Sequence, residues 1–177
     1  METFLLIRHA EPAIRGVLLG QMDPPLSARG KLQTASLAAL KNSPENMIVY
    51  SSPLRRALQT ASSLRFRELV ILPELREVDM GEWTGKQWAE IELEWGSFAR
   101  KKSADWLGVP APGGETWKDV TARVARAWRK IRLGPAPFAV VAHQGVNAAL
   151  AQVVSGANPT KFHQQYGEVT RVEYAAD

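Results

Sequence analysis

The sequence predicts an α/β fold: a single three-layer α/β/α domain spanning residues 1–177, around a mostly parallel central sheet. Two observations predict it. Short apolar runs at 4–7, 47–50, 70–72 and 138–142 alternate with longer segments of helical period. Three of those runs also lead directly into polar residues suited to chemistry: Arg8-His9-Ala10-Glu11, then Ser51-Ser52-Pro53-Leu54-Arg55-Arg56-Ala57, then His143. In an open parallel sheet such strand ends share one edge, where ligands bind.

Taken in order, residues 3–7 read as a strand buried on both faces. Residues 27–40 read as a helix whose apolar surface comes from Leu32, Ala35, Leu37, Ala39 and Leu40. A second strand covers 47–50. The next helix is expected to start at Pro53, with Ser52 as its N-cap, because proline suits the first helical position. Residues 70–72 form a short strand closed by Pro73. Thr84 and Gln87 fit a capping box opening a helix to about Trp95, and the glycine- and proline-rich stretch 96–114 reads as a loop with one helical turn. From 115 to 133, Trp117, Val120, Val124, Ala127, Trp128 and Ile131 recur at helical spacing. Gly134-Pro135-Ala136-Pro137 breaks that helix. A near-continuous apolar strand follows at 138–142, then a helix over 146–154, and 169–174 alternates as an edge strand.

Composition narrows the class. Apolar residues make up 45% and charged residues 23% of 177, ordinary for a globular chain. No apolar stretch is long enough to span a membrane, and Met1-Glu2-Thr3 offers no basic region of a secretory signal. The absence of cysteine excludes disulfides and thiolate chemistry, and fits a cytoplasmic location. The net charge of +4 comes with no nucleic-acid-binding motif. Much of the basic excess clusters in Arg100-Lys101-Lys102, expected on a solvated loop, and on the solvated face of the 115–133 helix. His9, His143 and His163 lack metal-ligand spacing, and no Walker loop or dinucleotide fingerprint occurs, so neither a metal nor a cofactor is expected.

Six stretches occur in an order that resembles the histidine phosphatase superfamily, also called phosphoglycerate-mutase-like. They are 6–11, 23–30, 51–61, 73–85, 112–116 and 141–145. The resemblance implies that His9 is a nucleophile forming a phosphohistidine, with His143 as the second histidine. Physical chemistry agrees with that role. An imidazole attacks phosphorus only from an unprotonated nitrogen, so its other nitrogen must be pinned as a donor. A phosphate dianion also resists attack unless permanent cations hold its oxygens, and Arg8 and Arg56 supply guanidinium forks. Glu77 aligns with the family's proton donor, with Glu82 as the second candidate. Arg15, Gln21, Glu82 and Gln144 are candidate substrate contacts, Arg55 is expected to be exposed, and Trp83 and Trp106 are candidates to line a pocket.

The chain departs from the family at Ala10, where many members carry glycine, and at Arg15, near a common asparagine. The form of its 11–23 segment is similar to the branch containing α-ribazole phosphatases. Glycolytic mutases of the family are longer and cover the site to exclude water. The shorter chain therefore reads as a phosphomonoesterase for a small phosphorylated metabolite, with α-ribazole 5′-phosphate the first substrate to try. A phosphoglycerate mutase is the alternative enzyme, a non-catalytic phospho-ligand module the alternative class, and a homodimer the assembly to consider.

Overall fold

The computed structural model describes residues 1–38 and 47–175. Its strands are β1 (Glu2–Arg8), β2 (Ile48–Ser51), β3 (Glu68–Ile71), β4 (Phe138–Ala142) and β5 (Val169–Tyr174). Its α-helices are α1 (Ala28–Ala38), α2 (Arg55–Ala61), α3 (Trp88–Ala104), α4 (Trp117–Ile131) and α5 (Gln144–Ser155). The sheet order is β3-β2-β4-β1-β5. Its first four strands run parallel, and β5 closes the β1 edge antiparallel.

Strand pleating explains the layers, because successive side chains face opposite sides. Phe4, Leu6, Tyr50, Phe138 and Val140 pack on α4 and α5, around Val120, Val124, Trp128 and Leu150. Ile7, Val49, Ala139 and Val141 face the other way, onto Leu37, Ala57 and Ala61 of α1 and α2. β4 is buried along its whole length, as its unbroken apolar run requires. A third cluster gathers Trp83, Ile91, Ala99 and Ala111 beneath α3, where Trp83 meets Trp88, Trp95 and Phe98 edge-on.

Several local expectations are corrected. α2 begins at Arg55, two residues after Pro53; the Ser52 hydroxyl accepts from the Leu54 N–H at 3.3 Å without capping the helix. α3 begins at Trp88, and its entry pairs Gln87 with Glu90, whose carboxylate accepts from the Gln87 N–H at 2.6 Å. It continues to Ala104 through a kink at Gly96, whose φ of 44° only glycine adopts at little cost. The 96–114 stretch is thus half helix, and Lys102 is buried on it, its ammonium donating to the Trp106 carbonyl. On α4, Arg123 is buried among otherwise solvated basic positions, and on α1 Leu32 is 72% exposed while Leu37 is buried. The last two residues of the expected first helix, 39 and 40, lie outside the described residues.

Candidate active site

Strand register assembles the site. Arg8 pairs with Ala142 across β1 and β4, and Ser51 with Val141 across β2 and β4. The next residue of each strand, His9, Ser52 and His143, therefore leaves the same sheet edge side by side. Backbone bonds continue the ladder there, with the His9 N–H donating to Ala142 O and the Ser52 N–H to Val141 O, each at 3.0 Å. His9 and His143 ring centroids stand 5.0 Å apart.

Geometry sets the state of His9. Its Nδ1 lies 2.7 Å from the Ala10 carbonyl, which can only accept, so Nδ1 carries the proton and Nε2 keeps its lone pair. That lone pair accepts a long 3.3 Å bond from Arg56 Nε. Burial, then the Arg56 charge, pushes the His9 pKa down to about 3, with the Ala10 contact opposing. His143 is wholly buried, and burial followed by the charges of His9 and Arg56 holds its pKa well below the usual range. Its Nε2 lies 2.8 Å from the Ser52 hydroxyl, while Nδ1 finds no partner among the described residues.

The two guanidinium groups come from different elements. Arg56, on the first turn of α2, is 1% exposed and donates to Met22 O at 2.5 Å and Gly20 O at 2.9 Å. It thereby ties the 16–23 loop to His9, the residue that follows β1. Arg8 donates to Gln164 O at 2.6 Å, stacks over Tyr166 at 4.1 Å and leaves its buried Nε without a partner. Burial lowers both guanidinium pKa values, opposed by Tyr166 and Glu77 at Arg8 and foremost by Glu77 at Arg56.

Glu77 completes the set. Its carboxylate accepts from Val78 N–H at 2.9 Å and from Gly145 N–H at 3.4 Å. A side chain at Gly145 would put Cβ within 2.8 Å of Glu77 Oε1, so the glycine lets the first turn of α5 approach the carboxylate. The segment carrying Glu77 is clamped from below. Arg123 grips Glu115 at 2.7 and 2.8 Å while donating to the carbonyls of Glu74 and Glu77, and Glu115 accepts from the Asp79 N–H.

Arg8, His9, Arg56, Glu77 and Gln144 line one cavity of about 410 Å³. His143 packs against His9 without itself lining that cavity. Gln144 donates to Phe162 O at 2.7 Å, and Gln21 donates to the Glu77 carbonyl at 3.2 Å from outside the lining. Arg15 turns away to an ion pair with Glu11 at 2.9 Å, and Glu82 sits exposed on a 3-10 turn, Gly81–Trp83; neither lines the cavity. Trp106 lines it, Trp83 is core, and Arg55 is exposed. Tyr166, with no motif around it, escaped sequence reasoning, and His163 is a surface residue, exposed as its lack of a motif suggests, that also joins the cavity wall. Among the described residues no helix is long and apolar enough to cross a membrane.

A parallel sheet that delivers a neutral imidazole and two guanidinium groups to one cleft describes an α/β enzyme that handles phosphate. Comparison with known proteins makes the class specific: the model of the histidine phosphatase superfamily (branch 1) matches residues 4–177, and the chain belongs to that family. Glucosyl-3-phosphoglycerate phosphatase of Mycobacterium tuberculosis is 31% identical over 165 residues, covering 83% of this chain and 72% of its own. Adenosylcobalamin/alpha-ribazole phosphatase of Escherichia coli K12 is 31% identical over 152 residues, 82% and 75% of the two chains. The crystal structure of the alpha-ribazole phosphatase from Shigella flexneri superposes with a TM-score of 0.85 at 26% identity, covering 97% and 90%. The chain is thus a histidine-type phosphatase acting on small phosphorylated substrates.

Proposed function

We propose that residues 1–177 act as one phosphomonoesterase domain with His9 as its covalent nucleophile. The observation that carries the reading is the pinned tautomer: Nδ1 donates to Ala10 O, so Nε2 faces the cleft as a free base. The substrate phosphate displaces the long Arg56–His9 contact and takes N–H donors from Arg8 and Arg56, while His143 backs the His9 ring from behind the cavity wall. His9 Nε2 bonds to phosphorus as the ester P–O bond breaks, and the departing alkoxide takes a proton from Glu77. A water then loses its proton to Glu77 and attacks phosphorus, the P–N bond breaks, and inorganic phosphate leaves with His9 restored. The fixed cations stabilise charge on the equatorial oxygens in both steps.

Hydrolysis is favoured over mutase chemistry by the cavity rim. Trp106 is 41% exposed and His163 is exposed, so water reaches the wall that a mutase must seal. Among substrates, α-ribazole 5′-phosphate is the first candidate, supported by the likeness to two α-ribazole phosphatases. A cytoplasmic site of action and a homodimer belong to the same reading, checked by fractionation and light scattering.

The test is turnover of p-nitrophenyl phosphate and α-ribazole 5′-phosphate with a chelator present. Wild type releases phosphate, and His9→Ala abolishes release while retaining bound inorganic phosphate. A His9→Ala protein as active as wild type would remove His9 from the mechanism.

A further inference from the structure

Above the phosphate cradle the cavity changes character. Leu18, Leu19, Met80, Trp106, Trp117 and Phe162 form most of its outer wall. The charges among them are already committed to the protein. Both Glu115 oxygens are taken by Arg123 and the Asp79 N–H. The Lys102 ammonium donates to Trp106 O and lies 4.7 Å from the Trp106 ring centroid. Even the indole N–H of Trp117 is spent, on Gln152 at 2.9 Å. The whole cavity, phosphate cradle included, is about 410 Å³, a size range that fits drug-like molecules, with the two guanidinium groups at its floor and the Lys102 ammonium held back against Trp106.

We infer that this outer chamber is a subsite for a bulky, uncharged leaving group, so that the preferred substrates are phosphomonoesters of apolar or aromatic alcohols. Resting on the phosphatase reading above, it narrows the substrate class. A small hydroxy acid brings a second anion to the cradle's edge, and finds there aliphatic carbon and indole in place of a guanidinium. Burying its carboxylate unpaired is costly, whereas an aromatic ring gains from the same wall.

The experiment compares kcat/KM for primary-alcohol esters of rising apolar area: ethyl, benzyl and 2-naphthylmethyl phosphate. O-phosphoserine and 3-phosphoglycerate supply the carboxylated arm. The expected result is a rise of at least about tenfold from ethyl to 2-naphthylmethyl phosphate, carried mainly by KM, with both acids at or below ethyl phosphate. In Trp106→Ala the naphthylmethyl-to-ethyl ratio falls by at least about fivefold. A flat series, or preference for either acid that Lys102→Met removes, overturns the subsite while the phosphatase stands. Failure of every ester to turn over removes both readings.

Discussion

In the proposed mechanism the tautomer and charge of one imidazole, His9, decide the chemistry, and its neighbours hold it. Ala10 supplies a carbonyl to Nδ1, while its own N–H is fixed by the Thr60 hydroxyl at 3.0 Å. Thr60 in turn donates to Arg56 O at 2.7 Å, so His9 and Arg56 share one short chain of bonds. Tyr166 does the comparable service for Arg8, its ring lying against the guanidinium plane and 5.5 Å from the His9 ring. A cation–π contact of this kind contributes ~1 kcal/mol. Tyr166→Leu is therefore expected to lower kcat/KM by about fivefold through KM, while Tyr166→Phe stays within about twofold. Steady-state kinetics of the two variants decide it, and equal losses in both would assign the role to the hydroxyl. His9, Arg8, Arg56 and His143 were legible because each follows a recognisable apolar run or motif. Tyr166 was not, because its meaning comes from the plane of Arg8, which no local pattern records.

Elements position these residues by packing as much as by propensity. α4 shows this best: its apolar stripe was readable from spacing, and Arg123 interrupts the solvated face to reach inward. There it holds the backbone of Glu74 and Glu77 and pairs with Glu115, which is 21% exposed at its side chain. Arg123→Met leaves Glu115 half-buried without its cation and frees the segment bearing Glu77. The expected cost is about 3 kcal/mol in a urea titration, with kcat falling along with stability. A variant with unchanged midpoint and unchanged kcat would show that the clamp does nothing. Sequence reading failed at α2 and α3 for an identifiable reason. Glycine and proline read as boundaries in the sequence, yet Pro53 lies ahead of the helix proper and Gly96 bends a helix that resumes beyond it. The continuation matters, since it carries Lys102 toward the cavity and leads into Trp106.

At the scale of the whole molecule, the sheet turns local runs into a single edge. Strand identities were visible as apolar runs, whereas the order β3-β2-β4-β1-β5 was not, because a crossover connection does not say which neighbour it will skip. Burying two neutral histidines at that edge has a global consequence. Between pH 6.5 and about 3 the unfolded chain protonates His9 and the folded chain does not. Its contribution is complete above 6.5 and is lost as pH falls through that window, at up to ~1.4 kcal/mol per pH unit. His143 acts in the same direction. Urea midpoints at about pH 7.5 and about pH 5.5 should show the decline, and His9→Asn should reduce its slope. The central claim, covalent catalysis by His9, is tested most directly by rapid quenching of turnover in base followed by peptide mass spectrometry. A phosphoryl group on the peptide carrying His9, stable in base, lost in acid and missing from His9→Ala, is the predicted result. Steady turnover with no such adduct, or an adduct on another residue, would contradict it.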